Sequence, residues 1–152
     1  MKSVIIAQEF IKNAFDSIEY KALVNVLFTS YWLQGLLAKE LEPYSISYKQ
    51  YNILRTLKRN YPEPVNCSTL KRLLLEKNAD ITRITMRLQS KGHVLRKKDP
   101  ANRRIVNIFL TDEGLQLEEQ ITSIILEKIN AANVLSDEET VQLSYLLKKI
   151  RA

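Results

Sequence analysis

A chain of 152 residues, 45% of them hydrophobic, with one cysteine and a formal net charge of +6, is long enough to bury roughly 68–70% of its unfolded surface and build a core without staples. The lone Cys67 excludes an internal disulfide framework and suits a reducing, cytoplasmic compartment. No apolar run approaches the ~18 residues of a membrane span, and the apolar patch at the N-terminus is broken by Gln8, Glu9, Lys12 and Asp16, too soon for a secretion signal.

Between residues 4 and 41 apolar side chains recur at helical spacing, in rows such as Phe10, Ala14, Ile18 and Leu23, Leu27, Tyr31 and Val26, Leu33, Leu37. They spread over more than one face, so this helical region must be covered on several sides. Ser47 and Gln50 have the spacing of a capping box and open a helix carrying Tyr51, Leu54 and Leu57, which Pro62 and Pro64 end. Residues 66–76 and 78–91 read as two further short helices, the second stopped by Gly92.

After Gly92 the period changes. The runs "HVLRKK" and "RIVNIFL" are apolar and β-branched and flank the turn Asp99-Pro100-Ala101-Asn102, which predicts a two-stranded ribbon. Thr111 then caps a long helix with Asp112 and Glu113 at its dipole-positive end and Leu115, Ile121, Ile125 and Ile129 along it. A second capping box, Ser136 to Glu139, starts a last helix with Leu143, Leu146, Leu147 and Ile150. The fold class is mainly α, with β structure supplied by the ribbon.

Charge is unevenly placed along this order. Residues 48–104 carry 15 Lys and Arg against 4 Asp and Glu, whereas the flanks together hold 8 against 13. A cationic middle between acidic flanks is the electrostatic footprint of a polyanion site, most commonly nucleic acid. Three short helices followed by a ribbon form a winged helix-turn-helix, whose third helix enters the major groove. In "ADITRITMRLQSKG" the residues Ile81, Ile84 and Leu88 face inward, which leaves Thr82, Arg83, Met86 and Arg87 outside. Arginine can pair bidentately with guanine, and a Thr or Met methyl can touch the thymine methyl. A solvated helix face would have the same composition, but the basic ribbon beside it favours DNA. Arg103 and Arg104 at the tip suit a narrow minor groove, while Arg96, Lys97 and Lys98 suit phosphates.

The stretch "ITRITMRLQSKGHVLRKKDPANRRIVNIFLTDEG" resembles the multiple-antibiotic-resistance-regulator (MarR) family of bacterial transcription regulators. It is similar to the family's Thr-Arg recognition helix, Lys-Gly stop, Asp-Pro-x-Asp-x-Arg wing and Leu-Thr-x-x-Gly helix start. The resemblance implies a homodimer whose N- and C-terminal helices interlock, presenting two recognition helices and two wings to a pseudo-palindromic operator in double-stranded DNA. It divides the chain into a helical dimerisation segment at 1–45, a DNA-binding domain at 46–111 and a second dimerisation segment at 112–152. Apolar terminal residues such as Ile5, Ile6, Ile11, Ile124, Leu146 and Ile150 point to the same dimer. The resemblance further implies a repressor relieved by a small phenolic or amphipathic effector, with Tyr31, Trp32, Tyr48 and Tyr51 as the candidate aromatic contacts. One residue departs from the pattern: Asn102 stands where the family usually has an Asp that holds the wing arginine, which implies a less fixed Arg104.

The remaining signals are weak. Cys67 opens the helix before the recognition helix and reads as a small packed residue, not a redox sensor. One His and one Cys cannot make a structural zinc site, which takes four protein ligands, so no metal or cofactor is expected, and His93 reads as a packing residue of the ribbon. With no phosphate-binding glycine loop and no nucleophile elbow, an enzyme is the least expected class. The competing reading is a winged-helix module for protein-protein assembly, its basic patch facing an acidic partner.

Overall fold

The fold was obtained as a computed structural model, which describes residues 17–74 and 80–151. The apolar positions expected before Ser17, among them Ile5, Ile6 and Ile11, and the parts of the helices expected at 66–76 and 78–91 that fall within 75–79 lie outside the described residues. Helix α1 (Ile18–Leu41) leads through a 3-10 turn (Glu42–Tyr44) to α2 (Tyr48–Lys58), strand β1 (Val65–Asn66), α3 (Cys67–Leu73) and α4 (Ile81–Ser90). Strands β2 (Val94–Lys98) and β3 (Val106–Leu110) follow, then α5 (Asp112–Ala132) and α6 (Asp137–Ile150).

The helix starts are built by the residues that the sequence marks. Ser47 Oγ accepts from the Gln50 amide while the Gln50 side chain accepts from the Ser47 amide at 2.9 Å, closing the capping box of α2. Ser136 and Glu139 do the same for α6, and Thr111 caps α5 by accepting from the Gly114 amide at 3.0 Å. Each pairing satisfies amides that a helix start leaves without intrahelical partners.

The ribbon has one more strand than the sequence predicts. Its order is β1-β3-β2, all antiparallel, with Val65 opposite Ile108 and Asn66 opposite Asn107. β1 is two residues long, too short to show a period, and Asn66 is also the N-cap of α3, its side chain accepting from Thr69 N at 2.8 Å.

Every buried apolar residue of the described core falls between Leu41 and Ile125. Leu54, Leu57, Leu70, Leu88, Val94, Ile108 and Ile121 seal against one another with 0–1% exposure, and each is worth about 1.5–3 kcal/mol relative to leaving it in water. α2 therefore holds the centre of the lobe, with the ribbon, α4 and α5 packed around it. A polar chain runs through this packing. The Tyr51 hydroxyl lies 2.8 Å from Thr122 Oγ1, which donates to Glu118 Oε1 at 2.6 Å, and Lys58 Nζ meets Glu118 Oε2 at 2.8 Å. Because the threonine proton goes to the carboxylate, Tyr51 is the donor to Thr122. The nearly buried Glu118 is thereby satisfied by a hydroxyl and a cation, as a buried carboxylate requires, and α2 is tied to α5 by side chains from both.

The ends of the chain are different. On α1 the side chains of Leu23, Leu27, Phe28, Tyr31 and Trp32 are exposed, and on α5 and α6 so are Leu126, Ile129, Val141, Leu143, Leu146 and Ile150. Along α6 only Leu147 is even half-buried. No helix among the described residues is long and apolar enough to cross a membrane.

Candidate nucleic-acid interface

Helix α4 is fixed at both ends. Asp80 Oδ1 accepts from the Arg83 amide at 3.0 Å, and the C-terminus closes with Gly92 N on Gln89 O at 2.9 Å and His93 N on Leu88 O at 3.0 Å. This pair of bonds is a Schellman motif, and it needs the φ of +80° that Gly92 supplies without a Cβ penalty. The Lys91 ammonium donates to the carbonyl of Ser45, fastening the same turn to the junction between α1 and α2.

The inward face of α4 departs from the sequence reading in one place. Ile81 and Leu88 are buried and Ile84 is half-buried, while Thr85 is fully buried. Its hydroxyl donates to Ile81 O at 2.8 Å, so the helix itself satisfies the polar atom and Thr85 packs as if it were valine. Charge and hydropathy gave no hint of this, although the position follows Ile81 by four and precedes Leu88 by three in the same stripe. The outward face is as expected. Thr82, Arg83, Met86 and Arg87 are all exposed, and with Asp80 and Ser90 they line a shallow concavity of about 400 Å³.

The ribbon leaves the lobe progressively. On its inner face, Val94 is buried, Arg96 half-buried and Lys98 exposed, opposite Leu110, Ile108 and Val106. Arg96 is thus less accessible than Lys97 and Lys98. It shares a face with Val94 and Ile108, and its Nε is buried without a hydrogen-bond partner. On the outer face, Lys97 Nζ sits 5.3 Å from the centre of the Phe109 ring, which draws the ammonium along the strand by a cation–π contact. Lys98, Arg103 and Arg104 are exposed.

The turn at the tip is organised by Asp99, which sequence reasoning did not single out. Its Oδ1 accepts from the amides of Ala101 at 2.9 Å and Asn102 at 3.0 Å, and its Oδ2 accepts from Asn107 Nδ2 at 3.1 Å. The signal was available in the Asp-Pro-x-Asn spacing, since an Asp at the first turn position commonly takes the amides two and three residues on. These bonds, led by the Asn102 amide, then Asn107 and Ala101, hold the Asp99 carboxyl below the usual aspartate range. Asn102 acts on the backbone. Its Oδ1 accepts from the Arg104 amide at 3.1 Å, and among the described residues no carboxylate pairs with the Arg104 guanidinium.

A depressed carboxyl pKa gives order that is complete above the ordinary value, about 3.9 for Asp, and lost as pH falls through the lower folded value. The wing tip is therefore expected to keep the same amide protection at Ala101 and Asn102 from pH 5 to 8. Asp99→Ala should abolish that protection at all pH values, as read by hydrogen exchange, and weaken DNA binding without unfolding the lobe.

The aromatic candidates differ in exposure. Tyr31 is 72% exposed and Trp32 49% exposed on α1, Tyr48 is half-buried at the start of α2, and Tyr51 is 2% exposed with its hydroxyl spent on Thr122. Cys67 is half-buried at the first position of α3, packed against the core. Burial, followed by the charge of Lys91, pushes the His93 imidazole down.

A capped helix presenting arginines, running through a glycine turn into a basic ribbon, defines the DNA-binding class of winged helix-turn-helix proteins. The MarR family profile matches residues 46–106. The HTH-type transcriptional regulator PecS of Dickeya dadantii (strain 3937) is 32% identical over 118 residues, which cover 75% of this chain and 70% of PecS. Among solved structures, wild-type MarR of E. coli is 25% identical with a TM-score of 0.71, covering 91% of this chain and 98% of MarR. The organohalide-sensing RdhR regulator in its 2,4-dichlorophenol-bound form has the same fold, with a TM-score of 0.75 at 22% identity over 89% of this chain and 80% of RdhR. The chain belongs to the MarR family of DNA-binding transcription regulators.

Proposed function

We propose that the chain acts as a homodimer that reads a pseudo-palindromic operator, with α4 in the major groove and the tip of the β2–β3 wing in the minor groove, and that it represses transcription in the cytoplasm until a small effector releases it. The observation that carries this reading is the split in α4: Ile81, Thr85 and Leu88 are consumed by the fold, whereas Thr82, Arg83, Met86 and Arg87 serve no packing purpose. The dimer is supported by the apolar side chains left uncovered on α1, α5 and α6, since contiguous exposed apolar surface marks an interface. On this reading residues 1–45 and 112–152 are the dimerisation segments and 46–111 the DNA-binding domain. The effector is supported by the dichlorophenol-bound relative. Tyr31, Trp32 and Tyr48 are the aromatic candidates for such a site on this reading, whereas Tyr51 can contribute only by giving up its bond to Thr122.

The expected results are a dimer by sedimentation equilibrium at tens of micromolar, and enrichment from random duplexes of half-sites about 34–36 Å apart. Arg83→Ala or Arg87→Ala should lower affinity by about 1–3 kcal/mol per half-site and relax preference at one or two base pairs. A monomer, or binding indifferent to DNA sequence, would leave the winged-helix fold serving an acidic protein partner instead.

A further inference from the structure

Within the reading helix, Met86 is out of place. It is 54% exposed, and it is the one large apolar side chain exposed between Ile81 and Ser90. Its neighbours on that face are Thr82 one turn before it and the row of Arg83 and Arg87 beside it. An apolar thioether gains nothing from water there, and the fold draws no packing from it. What it adds is a soft, adaptable surface next to two guanidinium groups, in a concavity whose lining also includes Asp80 and Ser90.

The spacing decides what such a surface can meet. Four residues of α-helix advance about 6 Å, close to two base steps of 3.4 Å, so with the helix along the groove Arg83 and Arg87 address base pairs about two steps apart. Met86 and Thr82 form the adjacent row and face the edges beside and between those pairs. In the major groove the apolar group among the base edges is the C5-methyl of thymine. Resting on the proposed reading of α4, we infer that Met86, backed by Thr82, is a specificity-determining residue that selects thymine by its C5-methyl group, within two base pairs of each arginine-read guanine.

The test uses the full-length protein and the duplex it enriches from random DNA. Each thymine is replaced in turn by deoxyuridine, which removes only the methyl group. For the wild-type protein, one or two positions per half-site should lose about fourfold in affinity, the factor that one buried methylene-sized group is worth, and about fifteenfold when both half-sites are changed. In Met86→Ala that loss should vanish, and in Met86→Leu it should persist. Arg83→Ala should retain the deoxyuridine penalty while losing preference for guanine. If no thymine responds in the wild-type protein, or if the response survives Met86→Ala, methyl reading by Met86 is overturned even though Arg83→Ala still relaxes guanine preference. If no sequence enriches or Arg83→Ala changes nothing, it is the placement of α4 on the bases that fails, and the role of Met86 fails with it.

Discussion

Affinity for operator DNA is expected to fall about 10⁴-fold when salt is raised from 50 to 200 mM, with log K against log salt sloping near −7. The slope is set by the cations that the fold leaves exposed along the wing. Lys98, Arg103 and Arg104 are exposed along the wing, and Lys97, though drawn over Phe109, keeps an exposed side chain. On the proposed reading Arg83 and Arg87 contact bases, and Arg96 is half-buried on the inner face of β2. Counting these four wing cations alone, with Arg103 and Arg104 meeting the phosphates that line the minor groove, gives about four phosphate charges neutralised per subunit and eight per dimer, each releasing roughly 0.9 of a counterion. Lys98→Ala should flatten the slope by about 2, since two copies are lost from the dimer. The same substitution should weaken all sequences alike, because phosphates carry no base identity. Filter binding or fluorescence anisotropy across that salt range checks both numbers, and a flat response would remove nucleic acid as the partner.

The residues that announced this architecture in the sequence are those whose physics is local. Capping needs only a side chain and an amide three residues away, so Ser47, Thr111 and Ser136 marked their helix starts at the right residue. The outward set on α4 followed from the helical period alone. What escaped depended on partners distant in sequence. β1 exists because Val65 pairs with Ile108, and two residues have no pattern of their own. Thr85 reads as polar, and only its bond to Ile81 O within a buried stripe makes it a core residue. Arg96 reads as one of three like cations in "RKK", but the pleat sends it to the inner face with Val94, while Lys97 goes to the outer face with Phe109. The wing's anchor was hidden for a related reason. Asp99, the carboxylate that folds the turn, stands among five cations in the sequence, and its bond to Asn107 closes only when the strands pair.

The wing is also held at its base, and there a single methyl group should be enough to displace it. At Gly114 the start of α5 presses onto the backbone just before β2: a Cβ at this position would lie 2.0 Å from the His93 carbonyl oxygen and 2.9 Å from both the His93 carbonyl carbon and Leu110 Cδ1. Two of those three atoms are backbone, so no rotamer change relieves the clash. The same His93 carbonyl accepts from the Thr111 amide at 3.2 Å, and Thr111 Oγ1 donates to Gly92 O at 2.8 Å. Pushing His93 away therefore strains the clamp that joins the end of α4, the start of β2 and the cap of α5. Gly114→Ala is expected to cost about 1–3 kcal/mol or more, as overpacking of a filled site does, and to lower the melting temperature by roughly 4–10 °C at fixed protein concentration. Thr111→Val is the calibrating variant. It keeps the volume but removes the cap and the Gly92 contact, and should cost about 1 kcal/mol. Operator affinity should drop further in Gly114→Ala than in Thr111→Val, because the wing cations move together with the strand. A Gly114→Ala protein that melts with the wild type and binds with its affinity would mean that α5 and β2 separate freely, and that the wing's direction is set elsewhere.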